Sequence, residues 1–441
     1  MEAARVEIEE ETGLEVLLQE AWERYRKPCA ITEVHLHCHR EEQLRWFKYV
    51  WNACNKVQEK GVDIKAVTAW AILGSFGWNK LLTKPKGVYE PGVFDLRGGK
   101  PRTTALAKFI TQLNKQNEFV HPVSDEAGWW LRNSRLIFQR TIINTQHRHS
   151  FTGNNKPLLI IGKNGTLGRA FARICYDRSI PYVLLGRGEC DIANKQTVER
   201  VIDIYKPWAI VNAAGYVRVD DAETETEKCF RENTIGPKNI AEVCLPHNIK
   251  FLSFSSDLVF DGQKNSPYVE SDDVNPLNVY GKSKAQSEAE ILHFNPSSLI
   301  IRTAAFFGPW DEYNFLHYVI DNLSKQQQIT VANDLYVSPT YIPDLVNNSL
   351  DLLIDDENGI WHLANKGVVT WADLAYETAS KWRLNNMFIN SMPAKDISLQ
   401  APRPVYSVLG SEKGILLPSL ENALQRFFNE RQILVSAKSI I

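Results

Sequence analysis

The chain has 441 residues, of which 44% are hydrophobic, and its 50 basic and 52 acidic side chains give a formal net charge of −2. This length allows two or three domains, and the balance of charge gives no reason to expect a nucleic acid or an anionic membrane as partner. No stretch approaches the ~20 apolar residues of a membrane span, and the acidic start does not resemble a signal peptide. We therefore expect a cytoplasmic protein.

Cysteine and histidine spacing gives no indication of a metal centre. The seven cysteines show no C-x-x-C pair, which favours free thiols over disulfides or zinc ligands. His35, His37 and His39 alternate, but no fourth ligand lies nearby, so a solvated loop is the favoured interpretation. We expect no metal ligands among the site residues.

The first 115 residues form a unit in which helices and strands alternate. Trp22 and Tyr25 mark an amphipathic helix, and residues 28–33 predict a short strand that ends at Glu33. Apolar spacing predicts a second helix over 41–60 and a second strand over 67–73.

This unit resembles the C-terminal quarter of a family 1 glycoside hydrolase, which is a (β/α)8 barrel. Residues 31–33, Ile-Thr-Glu, stand where that family has its nucleophilic glutamate, and residues 69–78 and 87–109 resemble its last strand motif and closing helix. The resemblance implies a partial barrel-like segment over 1–115. A retaining glycosidase needs a second carboxyl, which in the family lies upstream of this stretch. We therefore interpret Glu33 as a relic or a structural carboxylate and expect no glycosidase activity.

Residues 116–156 are polar and mixed, and we interpret them as a linker with one short amphipathic helix near 132–140. The basic charges there are spaced among apolar residues, which is typical of a solvated helix face.

From residue 157 to 441 the pattern predicts a Rossmann-type doubly wound parallel sheet. Apolar runs at 158–161, 182–185, 209–212, 250–255 and 299–303 alternate with helical spacing. Ligands of such sheets lie at the carboxyl ends of the strands. The helical patterns from about 304 onward predict a smaller substrate-binding region.

A glycine turn follows the first of these strands. Gly162, Gly165 and Gly168 lie three apart between a buried strand and a helix, and a helix N-terminus offers free N–H groups to a pyrophosphate. We therefore predict a dinucleotide site that also includes the other turn residues, Asn164, Thr166 and Leu167.

A proton-transfer set follows two later strands. Tyr280 and Lys284 lie four apart and so share a helix face, and Ser256 ends the strand before them. Reduction of a ketone requires a proton for the developing alkoxide, and a nearby ammonium would lower the pKa of the phenol. Ser256 would donate a hydrogen bond to the carbonyl oxygen.

Residues 157 to about 432 resemble the extended short-chain dehydrogenase/reductase superfamily and, within it, the dTDP-4-dehydrorhamnose reductases. The matching segments are 162–168, 211–214, 219–223, 255–260, 276–284, 338–340, 403–404 and 407–409. The resemblance implies reduction of the 4-keto group of a dTDP-linked 6-deoxy-4-keto sugar by a nicotinamide cofactor, the last step toward dTDP-L-rhamnose. It implies catalytic roles for Ser256, Tyr280 and Lys284, and substrate contacts from Val219, Asp220, Ser256 and Asp257.

Two features leave parts of that assignment open. Leu258 and Ala305 stand where the family has aromatic residues, so the identity of the sugar is open. Arg403 is a candidate for the substrate diphosphate, with a surface ion pair as the alternative.

The second strand indicates the cofactor. It ends in Gly186-Arg187, and an arginine suits the 2′-phosphate of NADPH, with NADH as the alternative. The family arrangement implies that Asp191 and Ile192 flank the adenine, and the small residues Ala213 and Ala214 would let a flat cofactor lie across them. The sequence gives no indication of Mg²⁺ and leaves its use open, as it does a homodimer.

Two alternatives remain at this stage. A non-catalytic dinucleotide-binding subunit would keep the fold but has no chemical need for all of Ser256, Tyr280 and Lys284. A sugar-nucleotide epimerase or reductase acting on another sugar would keep the tyrosine and lysine, although Arg187 argues mildly against the tightly bound NAD of an epimerase.

Overall fold

The structure, a computed structural model, describes residues 13–80, 88–115, 120–132 and 156–438, apart from the side chains of Asn79 and of 433–438. It separates into two compact units. Unit 1 contains the described residues before 156 together with two short segments, Arg178–Pro181 and Ile354–Asp356, and unit 2 contains the rest.

Unit 1 has the predicted order of helix, strand, helix and strand. Its helices are α1 (Leu14–Tyr25), α2 (Arg40–Glu59) and α3 (Ala105–Asn114), and its longer strands are β1 (Cys29–Val34) and β2 (Ile64–Ala69). Four two-residue strands form two antiparallel pairs, β3 (Ser75–Phe76) with β4 (Tyr89–Glu90) and β5 (Phe94–Asp95) with β6 (Arg102–Thr103). β1 and β2 pair in parallel, and β2 begins three residues before the predicted strand. The resemblance of this unit to a barrel fragment stays a prediction.

The N-terminal part of α2 buries a run of charged side chains. Glu41 pairs with Arg178, Glu42 pairs with Arg45 at 2.9 Å, and Arg40 lies 2.8 Å from Asp355. Buried charges are tolerated only when they are paired, because an unpaired ion loses its hydration without compensation. The two short segments of unit 1 therefore supply partners that α2 needs.

Part of the predicted linker packs within unit 1. Val123 is fully buried, its carbonyl accepts a 2.8 Å hydrogen bond from Arg45 Nε, and Asp125 pairs with Lys48 at 2.6 Å. Residues 120–132 are thus ordered by contacts, whereas the predicted amphipathic helix near 132–140 lies almost wholly outside the described residues. The division of the chain at 115 and 156 stays a prediction.

Unit 2 contains the alternating strands and helices that the sequence predicts. Its strands are β7 (Leu158–Ile161), β8 (Tyr182–Leu185), β9 (Ala209–Asn212), β10 (Lys250–Ser256), β11 (Leu299–Thr303), β12 (Phe306–Phe307), β13 (Ile329–Ala332), β14 (Tyr336–Val337), β15 (Thr340–Tyr341), β16 (Gly359–His362), β17 (Val369–Thr370) and β18 (Ile389–Met392). Its helices are α4 (Thr166–Asp177), α5 (Lys195–Tyr205), α6 (Thr226–Phe230), α7 (Gly236–Cys244), α8 (Val279–Phe294), α9 (Phe315–Ser324), α10 (Ile342–Ile354), α11 (Trp371–Trp382) and α12 (Leu420–Lys438). A π-helical turn, Arg231–Ile235, joins α6 to α7.

Six of these strands form one parallel sheet in the order β16-β11-β10-β9-β7-β8. The chain leaves β7 to one side for β8 and returns to its other side for β9, which makes the crevice between β7 and β9 the point where the order reverses. Ligands of doubly wound sheets bind at this point. The doubly wound parallel sheet expected from the sequence is confirmed.

The central strands of the sheet are covered on both faces. All residues of β7, β9 and β11 are buried, as expected for strands that carry helices on both faces. Side chains of α5, α7 and α8 close over the sheet in one core, which contains Leu159, Val201, Ile210, Ile240, Phe251 and Ile291.

The C-terminal part of unit 2 contains three two-stranded sheets. β13 pairs with β18 and β12 with β15 in parallel, and β14 pairs with β17 antiparallel. One core there combines Phe307, Tyr341, Leu374, Leu424 and Phe427. The helices predicted near 315–325, 341–353, 371–381 and 420–428 are all present. Among the helices of the described ranges, none is both long and apolar enough to cross a membrane.

Candidate active site

The glycine turn after β7 is built by two close backbone approaches. Gly162 has a φ of +125°, and a Cβ on it would lie 2.8 Å from the carbonyl carbon and oxygen of Ala213. A Cβ on Gly168 would lie 2.1 Å from Gly162 O. Neither contact tolerates a side chain, so these two glycines are required by the turn itself.

Gly165 differs, because a Cβ there would make only ordinary contacts, the nearest at 3.5 Å. Gly165 and Asn164 are exposed at the start of α4, whose first N–H groups have no helical partner. The absence of a side chain at Gly165 therefore leaves room for a ligand rather than for the protein's own packing. This turn fits a pyrophosphate held by backbone N–H groups and a helix N-terminus.

The two remaining turn residues have different surroundings. Thr166 Oγ1 donates a 3.0 Å hydrogen bond to Asp311 Oδ1, a contact that the sequence does not predict. Leu167 is buried, so its side chain belongs to the core and only its backbone can contact a cofactor.

The end of β9 lies directly beside the turn. Ala213 N donates to Ile161 O at 2.8 Å, and Ala214 N donates to Asn212 Oδ1 at 3.2 Å. Their small side chains are partly exposed, as the prediction of a flat cofactor surface requires.

The predicted adenosine residues follow β8. Arg187 is 64% exposed and pairs with Glu232, and Asp191 pairs with Arg231, each at 2.6 Å. The side chain of Ile192 is 3% exposed in the core and lies where a Cβ on Gly236 would be, and the predicted contact of this residue with the adenine stays a prediction. Helix α7 packs on this residue because the first position of α7 is glycine.

The catalytic candidates come together at the end of β10. Lys284 Nζ donates a 3.1 Å hydrogen bond to Phe254 O of β10 and lies 5.9 Å from the centroid of the Tyr280 ring. A Cβ on Gly215, just after β9, would lie 3.6 Å from the same ammonium. The ends of β9 and β10 and the first turns of α8 therefore meet at one place.

Helix α8 is held there by contacts that the sequence alone does not predict. A Cβ on Gly281 would lie 2.1 Å from Leu258 O, so the helix packs directly on the loop after Ser256. Asn278 Oδ1 accepts the N–H of Gly281 at 2.7 Å, and Glu223 Oε1 accepts that of Val279 at 2.8 Å. These caps fix the first turn of the helix, which carries Tyr280.

Burial shifts the pKa values of both Tyr280 and Lys284. Burial raises the pKa of Tyr280, the charge of Asp257 raises it further, and a hydrogen bond with Ser256 opposes the rise. Burial also lowers the pKa of Lys284 to about 8. Burial dominates the pKa of Tyr280, and the lowering of that pKa by Lys284 stays a prediction.

The side chains of Ser256 and Asp257 are hydrogen-bonded to each other. Ser256 Oγ accepts the N–H of Leu258 at 3.1 Å and donates to Asp257 Oδ1 at 3.0 Å. Ser407 Oγ donates to Asp257 Oδ2 at 2.6 Å, and burial raises the pKa of Asp257 to about 6. The Ser256 proton has to turn away from Asp257 to serve a carbonyl oxygen.

The other predicted substrate residues lie in the same unit. Arg403 Nη2 donates to Asp220 Oδ2 at 3.0 Å, while Asp220 Oδ1 accepts the N–H of Ala401 at 3.0 Å. The ion-pair alternative for Arg403 is therefore realised, and its partner is another predicted substrate residue. Val219 is partly exposed beside this pair in the chain.

Several residues that the sequence does not single out organise this site. Asn233, in the π-helical turn, is fully buried, accepts the N–H of Tyr216 at 2.8 Å and donates to Ser283 Oγ at 3.1 Å. The sequence does not predict this role, because a single asparagine within a helical segment belongs to no recognisable motif. Ser407 lies in a matched segment, but its partner is 150 positions away.

Unit 1 brings two of the three alternating histidines together on one carboxylate. His35 and His37 both hydrogen-bond to the carboxylate of Glu90, one to each oxygen. Within the described part of the chain, no group of three or more His, Cys, Asp or Glu side chains is arranged to hold a metal ion.

Glu33, which the sequence predicts to be a relic or a structural carboxylate, is exposed and has a φ of +58°.

A doubly wound parallel sheet, a glycine turn that fits a pyrophosphate and a tyrosine–lysine helix define a dinucleotide-dependent oxidoreductase of the short-chain type. The family described as "RmlD substrate binding domain" matches residues 156–432. Because this match spans more than half of the chain, the chain belongs to that family.

Named relatives agree with this membership. The dTDP-4-dehydrorhamnose reductase of Aggregatibacter actinomycetemcomitans is 36% identical over 268 residues, which are 58% of this chain and 91% of the relative. A solved dTDP-4-dehydrorhamnose reductase from Clostridium acetobutylicum superposes with a TM-score of 0.60 at 28% identity, covering 63% of this chain and 99% of that one. The Bacillus anthracis enzyme, solved in complex with NADP, gives a TM-score of 0.59 at 28% identity, covering 62% and 99%.

Proposed function

We propose that this protein uses NADPH to reduce the 4-keto group of a dTDP-linked 6-deoxy-4-keto sugar, the final step of dTDP-L-rhamnose formation. The observation that carries the proposal is the meeting of Ser256, Tyr280 and Lys284 at the carboxyl end of β10, beside the glycine turn after β7. The names of the relatives support the substrate class, and the NADP complex of one of them supports the cofactor.

NADPH, when bound at the glycine turn, supplies the hydride that adds to the carbonyl carbon. Tyr280 then gives its phenolic proton to the carbonyl oxygen as negative charge develops there. Its raised pKa keeps the phenol protonated at neutral pH, which is the form that a proton donor requires. Lys284, 5.9 Å from the ring centroid, stabilises the phenolate left behind.

Ser256 orients the carbonyl oxygen in this proposal. Its hydroxyl accepts the N–H of Leu258, which leaves its own proton free to move from Asp257 to the substrate oxygen. Such a donor stabilises negative charge on that oxygen in the transition state.

The substrate is assigned to the side of the site formed by Val219, Asp220, Asp257 and Arg403. Arg403 uses single donors on Asp220 and on the carbonyl of Ala401, so its guanidinium, which has five N–H donors, retains others for a diphosphate. Arg403 could then bind a diphosphate oxygen while keeping its hydrogen bonds to Asp220 and Ala401.

The test is oxidation of NADPH, followed by absorbance, with purified full-length protein and dTDP-4-dehydro-6-deoxy-L-mannose. Turnover should fall at least about 100-fold in Tyr280→Phe, the loss expected for a general acid. Tyr318→Phe, which alters a half-exposed tyrosine on α9, is the matched control and should keep full activity.

Failure has a distinct appearance in this assay. Protein that binds NADPH but leaves the nucleotide sugar unchanged would overturn the assignment of the substrate. Tightly retained NAD in the purified protein, with interconversion of sugars and no net oxidation of added NADPH, would indicate an epimerase instead.

A further inference from the structure

Four charged side chains form a row at the end of β8. Glu232 Oε2 lies 2.6 Å from Arg187 Nη2, and Glu232 Oε1 accepts a 2.5 Å hydrogen bond from Arg231 Nη1. Arg231 Nη2 donates to Asp191 Oδ2 at 2.6 Å. Arg231 and Glu232 thus link Arg187 to Asp191 through side-chain contacts.

Burial divides the row into an inner and an outer part. The side chain of Glu232 is 6% exposed, whereas those of Arg187 and Arg231 are 64% and 41% exposed. A buried carboxylate that accepts from two guanidinium groups fixes both of them, because leaving it unpaired would be costly. Glu232 thus holds the two guanidinium groups side by side while much of each stays accessible.

The position of the row is that of the adenosine end of a dinucleotide. Arg187 follows β8, and the N–H groups of Gly162 and Lys163 in the glycine turn both donate to Leu185 O, the last residue of β8, at 2.9 and 3.1 Å. In doubly wound folds the ribose 2′ position lies at the end of the second strand, next to this turn. A phosphate there would face the exposed parts of the two arginines.

The nearby carboxylate of Glu189 has its own partners. Its Oε2 accepts the N–H of Gly186 at 2.8 Å, and its Oε1 lies 3.6 Å from Lys163 Nζ. Its Oε2 is therefore engaged with the backbone at the end of β8, and Lys163 lies beside its Oε1.

We propose that Arg231 is a second guanidinium for the 2′-phosphate of NADPH and that Glu232 is the positioning residue that places it beside Arg187. The preference for NADPH over NADH is then set by the first two residues of the π-helical turn as well as by the end of β8. This inference rests on the proposed function, since it requires a nicotinamide cofactor at this turn. Guanidinium groups suit phosphate because they form charge-assisted, paired hydrogen bonds.

The experiment measures the dissociation constants of NADPH and NADH on the full chain by isothermal titration, without the sugar substrate. Arg231→Gln should weaken NADPH about tenfold, the loss expected for a charge-assisted hydrogen bond, and should leave NADH within about twofold. Glu232→Gln should weaken NADPH in the same sense by about threefold, because both guanidinium groups lose the charged partner that holds them side by side. Lys238→Gln, which removes an ion pair between Lys238 of α7 and Glu290 of α8, is the matched control and should change neither constant.

The outcomes separate the two proposals. If Arg231→Gln weakens NADPH and NADH equally, the ratio of the two dissociation constants is unchanged and the residue is merely structural. That result would overturn the inference, as would unchanged affinity for both cofactors. Wild-type protein that binds neither cofactor would overturn the proposed function itself. A selective loss of NADPH affinity in both variants, with the control unchanged, would support the inference.

Discussion

Ser407 Oγ donates a 2.6 Å hydrogen bond to Asp257 Oδ2, and this contact ties the C-terminal part of unit 2 to the end of β10. The carboxyl that accepts it is buried next to Ser256, the residue that we assign to the carbonyl oxygen. Burial raises the pKa of Asp257 from 3.8 to about 6, although hydrogen bonds from both serines oppose the rise. Ionisation of this carboxyl is therefore less favourable in the folded protein than in the unfolded chain.

The first prediction concerns stability against pH. The folded protein holds the Asp257 proton more tightly than the unfolded chain, so its stabilising contribution is present below pH 3.8 and is lost as the pH rises through about 6. Asp257→Asn cannot ionise. The free energy of unfolding of Asp257→Asn, relative to that of the wild type, should therefore rise by up to about 3 kcal/mol between about pH 4 and about pH 7.

Urea unfolding at both pH values measures this gain. Asp203→Asn is the control, because Asp203 is exposed and its pKa is lowered by a hydrogen bond from Lys206, so any change should have the opposite sign. An offset between wild type and Asp257→Asn that stays constant with pH would contradict the raised pKa.

The second prediction concerns activity against pH. Burial lowers the pKa of Lys284 to about 8, and the proposed role of this residue requires its positive charge. We expect kcat/KM for NADPH, which reports on the free enzyme, to fall above about pH 8. Lys284→Arg keeps a charge throughout this range, so whatever activity it retains should not show the same fall. Parallel profiles for the two proteins would exclude Lys284 as the titrating group.

The third prediction separates two glycines of the turn. Gly168→Ala places a methyl group 2.1 Å from Gly162 O, so we expect a lower Tm and loss of NADPH binding. Gly165→Ala makes only contacts of 3.5 Å or more, so its Tm should stay close to that of the wild type while NADPH binds at least about tenfold more weakly. Calorimetry gives both quantities. Normal NADPH affinity in Gly165→Ala would mean that the cofactor does not approach the backbone there.

The fourth prediction tests the buried charges of unit 1. Asp355 is fully buried, lies 2.9 Å from Arg102 Nη1 and accepts the N–H of Ala105 at 2.7 Å. Asp355→Asn removes the buried negative charge that pairs with Arg40 and Arg102, of which Arg102 keeps its second partner Asp95. We therefore expect unfolding to become easier by about 3 kcal/mol. The neighbouring exposed carboxyl in Asp356→Asn should change stability by less than about 0.5 kcal/mol. Equal effects of the two substitutions in urea unfolding would refute the assigned role.

Local patterns in the sequence determined much of unit 2. The apolar runs and the glycines after Ile161 fix a strand, a turn and a helix, because each depends on neighbours within a few residues. The four-residue spacing of Tyr280 and Lys284 likewise places them on one face of α8 before any tertiary contact is known. The fold class and the shared helix face of Tyr280 and Lys284 could therefore be predicted.

Only the tertiary structure decided which distant side chains meet. The partners of Asp257, Asp220 and Arg187 are Ser407, Arg403 and Glu232, which lie 150, 183 and 45 positions further along the chain. Burial of Ile192 and the raised pKa of Tyr280 likewise depend on what packs around them. Hydration and long-range contacts are properties of the folded chain, and no local spacing encodes them.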